Sequence, residues 1–360
     1  MRPPPSILVV LHDFALGGTE RVAVRLAAAM AGQGASVTIF AGSGSGPLRA
    51  LAGSQVEIVV ADPPIPRARG SRRRLALATR TFVDRRRFDG VYAPGNFHWP
   101  VAAALGGRGI AVLAQVSAAL DKPQRGRWRQ WAFETRMRYL LRRADAVVAL
   151  SDVARDQANR ILRRDVASVI ALPALDDAVA PPLPVPDTRP PVVLAAGRLV
   201  PEKGFARLIA AFATLPEDAA RLVIVGDGPQ ADTLRRQSET LGLADRVTLA
   251  GYVPDIRPAL DAARLLVLSS DFEGFPAVLV EALAAGRPVV ATDCTPATRL
   301  LADGAGIVVP LGDTAALSHA IATMLAQPAP DPARLAASVA QHRIGAVAAA
   351  YLALFDRLRR

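Results

Sequence analysis

The stretch SSDFEGFPAVLVEALAAGRPVVATD, Ser269 to Asp293, reads as a strand end, a loop, a short apolar helix and a second strand. Leu265 to Ser269 form the first strand and Asp271 to Phe275 the loop. Pro276 suits the first helical position, Gly286 the left-handed stop after the last turn, and Pro288 to Ala291 the next strand. Two strands joined by a helix of this length make a parallel crossover unit. Glu273 then sits at the carboxyl end of the first strand, and Glu281 on the second turn of the helix, with no basic residue on its own helical face. Burying a carboxylate without a partner costs several kcal/mol, so a use is expected for both. Because helical side chains lean toward the N-terminus, Glu281 reaches back to the end where Glu273 lies. Two acceptor-only groups there suit vicinal hydroxyls, as on a ribose or a hexose.

The same alternation extends in both directions. Upstream of this stretch, VVLAAGRLVPEKGFARLIAAFATL, RLVIVGDGP, RVTLAGYV and RLLVLSS repeat strand and helix patterns. At the start of the chain, Ser6 to Leu11, the loop with Gly17 and Gly18, a helical stripe through Val22, Leu26 and Ala29, and Val37 to Phe40 make another βαβ unit. Further strands are expected at Gly90 to Ala93, Ala111 to Val116 and Ala146 to Leu150. Periodicity vanishes in the proline cluster ALPALDDAVAPPLPVPDTRPP, Ala171 to Pro191. The chain therefore reads as α/β with two Rossmann-like parallel-sheet domains: residues 1–175, a linker over 176–190, and residues 191–341. Ligands of such sheets bind beyond the carboxyl ends of the strands, and two of them make a cleft.

A chain of 360 residues is long enough for two cores, and 51% hydrophobic residues argue against disorder. The single cysteine, Cys294, excludes an intrachain disulfide and a cysteine-based zinc cluster. His12, His98, His319 and His342 show no metal-ligand spacing, so no metal site is expected. His12 and Asp13 interrupt the first apolar run before a signal-peptide core or a membrane span could form, which leads us to expect a cytoplasmic protein.

Charge is uneven. Residues 1–180 carry a net +12 and residues 181–360 a net −1. The basic clusters are Arg67 to Phe88 and Arg125 to Arg143, the second interleaving Trp128, Trp131, Met137, Tyr139 and Leu140 with arginines. This pattern fits a helix lying on an anionic membrane surface. A solvated face in an arginine-biased chain, with Lys122 and Lys203 its only lysines, is the plainer alternative. No nucleic-acid motif supports the third, and no nucleic-acid partner is expected.

The loops at the strand ends suggest phosphate chemistry. Gly17 and Gly18 precede a helix with Thr19 as a candidate N-cap, so backbone N–H groups and the helix dipole face a ligand. Arg198 and Lys203 bracket the loop after Val192 to Ala196, where two cations could clamp a diphosphate.

Taken together, GGTER, GRLVPEKG, VGDGP, EGFPAVLVE, EALAAGRPVVATD and VPLGD resemble, in kind and in order, the motifs of the retaining glycosyltransferases of family 4, the glycosyl transferases group 1, with the GT-B fold. The resemblance spans most of the chain. It implies two domains facing each other across a cleft, the second holding a nucleoside diphosphate sugar and the first the acceptor, with the C-terminal helix (342–360) packed back on the first. It implies a hexosyltransferase for a hexose or N-acetylhexosamine, acting with retention on a glycan or lipid-linked acceptor in polysaccharide or lipopolysaccharide synthesis. Glu273 would bind the transferred sugar, Glu281 the ribose, and Arg198 and Lys203 the diphosphate. Gly274, Phe275, Ala277 and Val278 would line the donor, with Gly17 and Gly18 closing over its phosphates. No cofactor and no metal would be required.

Some positions depart from the family pattern. Arg299 stands near the place where an acidic residue is frequent, Leu172-Pro173 replaces a frequent Asn-Pro, and Ser117 stands where a histidine is common. His98, in APGNFHWP, is the alternative histidine for the acceptor side. These departures leave a second reading, a catalytically degenerate sugar-nucleotide-binding scaffold of a membrane glycan-assembly complex. An epimerase or phosphorylase of the same fold is a third, for which the histidine set and cofactor lysine are missing.

Overall fold

The structure, a computed structural model, describes residues 3–117, 120–121, 125–178 and 180–359. The chain divides into two compact units, Met1–Asp177 with His342–Arg360, and Ala178–Gln341.

The first unit is built on β1 (Ser6–Leu11), β2 (Ser36–Ala41), β3 (Glu57–Val60), β4 (Gly90–Ala93), β5 (Ala111–Val116), β6 (Ala146–Ala149) and β7 (Ala167–Val169). They form one sheet in the order β3-β2-β1-β4-β5-β6-β7, and every pairing is parallel. Helices α1 (Gly18–Gly32), α2 (Ser71–Arg85), α3 (Trp99–Leu105), α4 (Gly126–Leu141) and α5 (Asp152–Leu162) connect the strands. Helices on both faces bury a parallel sheet on both sides, which is why its strands are predominantly apolar. Ile7, Val9 and Leu11 of β1 enter one core, and Leu8 and Val10 the other.

The second unit repeats the plan with β8 (Val192–Ala196), β9 (Arg221–Val225), β10 (Val247–Gly251), β11 (Leu265–Leu268), β12 (Val289–Thr292) and β13 (Gly306–Val309). The order is β10-β9-β8-β11-β12-β13, again all parallel. Its helices are α6 (Phe205–Ala213), α7 (Ala231–Thr240), α8 (Arg257–Ala262), α9 (Ala277–Ala284), α10 (Thr314–Ala326) and α11 (Pro332–Ala337). In each sheet the order reverses next to the first strand, between β1 and β4 and between β8 and β11. Those reversals are the switch points where open α/β sheets bind ligands.

The last helix, α12 (Ile344–Leu358), belongs to the first unit. Tyr351 and Phe355 are fully buried beside Tyr92, and a side chain at Gly90 would run into the Phe355 ring at 2.4 Å. Arg359 ties the end of this helix to Asp89 at 3.0 Å.

Two boundaries differ from the sequence expectation. Gly17, not Thr19, is the N-cap of α1, and Pro276 is the N-cap of α9, not its first helical residue. The C-terminal end of α9 follows the expected stop. Gly286 has φ +77, its N–H reaches Leu283, and the Arg287 N–H reaches Ala282, a Schellman closure.

From Ala180 the proline-rich segment expected as a linker is bonded to the second unit. Arg257 donates to the carbonyls of Ala180 and Pro181 at 2.8 and 2.6 Å, and Arg287 to that of Pro184 at 3.3 Å. Val179, within that segment, lies outside the described residues, as do Lys122 and Ala118–Ala119 beside Ser117. No helix among the described residues is long and apolar enough to cross a membrane.

Candidate active site

In the second unit the loops after β8, β9 and β11 lie backbone to backbone. Gly204 (φ +65) follows a 3-10 turn, Pro201–Lys203, and a Cβ there would stand 2.1 Å from the carbonyl oxygen of Ser269. Gly226 (φ +140) in VGDGP would place a Cβ 1.9 Å from the carbonyl oxygen of Gly197. Glycine is required at both positions by a left-handed φ and by the close approach. The Asp271 N–H donates to Glu202 at 2.8 Å and the Ser269 hydroxyl to the Lys203 carbonyl at 2.9 Å, stapling the Lys203 turn to the loop that carries Glu273.

This stapling brings Lys203 and Glu273 into an ion pair at the β8/β11 switch point. Both side chains are mostly buried, and the Ser270 hydroxyl donates to the same Glu273 oxygen at 2.9 Å. The Glu273 N–H is held by the Cys294 carbonyl at 3.2 Å. Burial pushes the Cys294 thiol up to about 11, with the Glu273 carboxylate adding to the rise. Arg198 does not join the pair. Its side chain is 72% exposed and stands 3.8 Å from Glu202, so only one of the two expected clamp cations converges on Glu273 in this structure.

Gly274 and Phe275 continue the loop, the Gly274 carbonyl accepting from Thr295 at 3.1 Å. Ala277 and Val278 form the half-buried first turn of α9, and Glu281 is half-buried one turn further on. The first N–H groups of a helix have no intrahelical acceptor, so this turn offers donors. Among the described residues no three His, Cys, Asp or Glu side chains gather as metal ligands would.

In the first unit Gly17 and Gly18 open α1 at the end of β1. A Cβ at Gly17 would meet a Glu20 carboxylate oxygen at 2.3 Å, so Glu20 curls back over the cap, whereas Gly18 faces open space. Glu20 accepts from Arg67 at 2.6 Å, and Arg67 also grips Asp13 through two bonds at 2.6 and 2.9 Å. Burial drives the Asp13 pKa upward, but the Arg67 bonds outweigh it and hold the carboxyl below its ordinary range.

His98 is buried. Its Nδ1 bonds the Pro94 carbonyl at 2.5 Å, its Nε2 has no partner among the described residues, and burial pushes its pKa down to about 4. Burial therefore favours neutral His98 and keeps it behind the surface, with the neighbouring Phe97 half-buried in front of it. The sequence reading missed His12, Asp13, Glu20, Arg67, Arg72 and Phe97 as a group. The placement of His12 and Asp13 directly after a buried strand was the available signal.

Two parallel-sheet Rossmann-like units, one with an ammonium–carboxylate pair at its switch point, define a GT-B chain. The second unit belongs to the group 1 glycosyltransferases: residues 183–342 match the family described as glycosyl transferases group 1, and residues 17–174 match the glycosyl transferase 4-like domain.

A lipopolysaccharide core biosynthesis glycosyltransferase, LpsE of Rhizobium meliloti, is 39% identical over 137 residues, 38% of this chain and 40% of that one. The chain spans about half or less of the length of such curated relatives. Among solved structures, Anabaena HepE in complex with UDP superposes with a TM-score of 0.76 at 20% identity, covering 98% of this chain and 100% of that one. The apo lipopolysaccharide outer core galactosyltransferase WaaB gives 0.75 at 19% identity, covering 97% and 99%. At these identities the likeness is one of fold.

Proposed function

We propose that this chain is a retaining glycosyltransferase that moves a hexose or an N-acetylhexosamine from a nucleoside diphosphate sugar to a glycan or lipid-linked acceptor. Its place would be the assembly of cell-surface polysaccharide or lipopolysaccharide. The observation that carries the reading is the Lys203–Glu273 pair at the β8/β11 switch point, within the unit that matches the group 1 family.

A donor of this class brings an anionic diphosphate joined to a neutral, hydroxylated sugar, and the pair is divided to suit it. Lys203 exchanges Glu273 for a phosphate oxygen and takes up the charge of the departing diphosphate, where electrostatic stabilisation does most of the work. Glu273, released, accepts hydroxyls of the sugar, and Ser270 keeps it oriented. Glu281 accepts the ribose hydroxyls, while Gly274, Phe275 and the first turn of α9 at Ala277 and Val278 line the donor, the N–H groups facing phosphate. Exposed Arg198 swings in as the second cation. In this scheme Lys203, Arg198 and the helix terminus supply the positive charge at the diphosphate, without a metal or cofactor. Departure of the diphosphate and attack by the acceptor on one face of the sugar give retention.

The lipopolysaccharide and polysaccharide context rests on what the relatives are named for, and the nucleotide on the UDP bound to HepE. A seat at the inner face of a membrane is supported by α4. Met137 and Leu141 are buried, while Trp128, Trp131 and Tyr139 stand 73%, 62% and 57% exposed on the opposite side. Exposed aromatics flanked by arginines suit the headgroup region of an anionic bilayer.

The test is a screen of UDP- and GDP-sugars that reads released nucleoside diphosphate, with the product anomer assigned by NMR. Release with one donor and an acceptor glycan is expected. Tight donor binding with no release from any donor would overturn catalysis in favour of a binding scaffold.

A further inference from the structure

The β1/β4 switch point of the first unit carries a built site of a different kind from the Lys203–Glu273 pair. Phe97, in the loop after β4, is half-buried, and two guanidinium groups lie over its ring, Arg72 at 4.1 Å and Arg67 at 5.2 Å from the centroid. His12, at the end of β1, meets the same ring edge-on at 5.3 Å.

The charges around this ring are unequally satisfied. Arg67 is held by both nearby carboxylates, Asp13 and Glu20. Arg72 has no carboxylate within ion-pair distance and no hydrogen bond among the described residues, so its five N–H donors are unspent. His12 is fully buried; its Nδ1 stands 3.8 Å from Asp13, and neither ring nitrogen makes a hydrogen bond among the described residues. A buried polar group without a partner is uncommon enough to call for one. Burial lowers the proton affinity of Arg72, and repulsion from Arg136 of α4 and from Arg67 adds to it, so Arg72 is crowded by cations while the nearby carboxylates are taken by Arg67.

An aromatic shelf holding a cation with open donors, at a switch point of a parallel sheet, is preorganised for an oxyanion. We propose that Arg72, on the Phe97 shelf and backed by Arg67 and His12, binds an anionic group of the acceptor, so that the acceptor is a phosphorylated or otherwise acidic saccharide. The proposal rests on the reading that the chain transfers a sugar and that its first unit holds the acceptor. Phosphate fits a guanidinium fork bidentately and carries the higher charge, so it is the anion expected.

Titration calorimetry at low ionic strength, with UDP saturating and absent, compares glucose 6-phosphate, glucuronate and glucose as probes. Glucose 6-phosphate is expected to bind at least tenfold more tightly than glucose, and UDP is expected not to displace it. Arg72→Gln should erase that preference and leave UDP affinity unchanged, and Phe97→Leu should reduce it, with both variants melting as the parent does. A preference for glucuronate over the phosphate keeps the site and assigns its anion as a carboxylate. Equal binding of all three probes, a preference that survives Arg72→Gln, or displacement by UDP overturns the proposal. A protein that takes glucose 6-phosphate through Arg72 but binds no UDP or GDP-sugar keeps the anion site and refutes the glycosyl-transfer reading instead.

Discussion

Lys203 and Glu273, 70 residues apart in the chain, form an ion pair whose carboxylate also accepts a hydrogen bond from Ser270 at 2.9 Å. Each member offers what the other needs until a ligand arrives with both an anion and hydroxyl donors. Losing Lys203 leaves a mostly buried carboxylate with Ser270 as its remaining side-chain donor among the described residues, and removes the cation proposed to meet the departing diphosphate. Lys203→Ala is therefore expected to lower turnover by about 100-fold, the scale of one lost electrostatic donor, with a smaller loss in donor binding. Glu281→Ala is expected to do the reverse, weakening nucleotide binding by roughly 1 to 3 kcal/mol through lost charged hydrogen bonds. Calorimetry with nucleoside diphosphate and single-turnover kinetics separate the two, and full activity in both variants would remove these residues from the site.

The first unit should lose stability in mild acid. Burial depresses the folded pKa of His98 from 6.5 to about 4, and burial also lowers those of His12 and His342. A depressed folded pKa gives stability that is complete above the unfolded value and is lost as pH falls from about 6.5 toward 4. For His98 alone this amounts to roughly 3 kcal/mol at the rate of 1.36 kcal/mol per pKa unit. Thermal unfolding followed between pH 7.5 and 4 should show the decline, and His98→Asn should flatten its slope whatever its stability at neutral pH. An unchanged slope would mean that His98 titrates in the native protein.

What the sequence disclosed follows from where each residue sits. Strands buried on both faces, such as Ser6–Leu11, Gly90–Ala93 and Ala111–Val116, are predominantly apolar runs and were legible to the residue. Glu57–Val60, Ala167–Val169 and Gly306–Val309 were not marked, and all three are edge strands of three or four residues, partly exposed and too short to stand out as buried runs. In the second unit Lys203 stood out as one of two lysines in an arginine-dominated chain, and Glu273 as a carboxylate at a strand end just before an apolar helix. Their meeting depended on Gly204 letting one backbone touch another, which residue spacing does not carry. In the first unit the cluster around Phe97 draws on residues 12 to 72 and 97, so no local motif contains it.

Arg287 is expected to matter for the second unit out of proportion to its place in the unremarkable string GRPVV. It is fully buried, and it donates to the carbonyls of Leu260 at 2.8 Å, Asp261 at 3.2 Å and Pro184 at 3.3 Å. Arg287→Met fills similar volume but leaves those carbonyls without their donor, at a cost of about 2 to 4 kcal/mol. Arg287→Lys should recover little, because an ammonium cannot reproduce the planar fork. Melting of the second unit and protease cleavage within residues 180–190 measure the loss, and a parent-like melting point in Arg287→Met would show that the proline-rich segment is held by Arg257 instead.

Membrane association, if it uses α4, is confined to one side of that helix. Trp131 and Tyr139 stand three and eleven positions after Trp128, which places all three on the face opposite buried Met137 and Leu141. Arg127, Arg129 and Arg136 are exposed around them. Arg125 is occupied differently: it donates to Leu120 and Gln130 at 2.8 and 3.1 Å and lies over the Phe133 ring at 3.8 Å. Arg125 therefore anchors the start of the helix and is a poor probe of lipid contact. Neutralising Arg127 and Arg129 should weaken binding to anionic vesicles by about 1 kcal/mol per residue, an effect that fades as salt rises. Trp128→Ser with Trp131→Ser should weaken it further and with little dependence on salt, because the indoles contribute buried apolar area and not charge. Flotation with anionic and neutral vesicles measures both. Binding that ignores lipid charge, or that survives all four substitutions, would return this face to a solvated, arginine-rich surface.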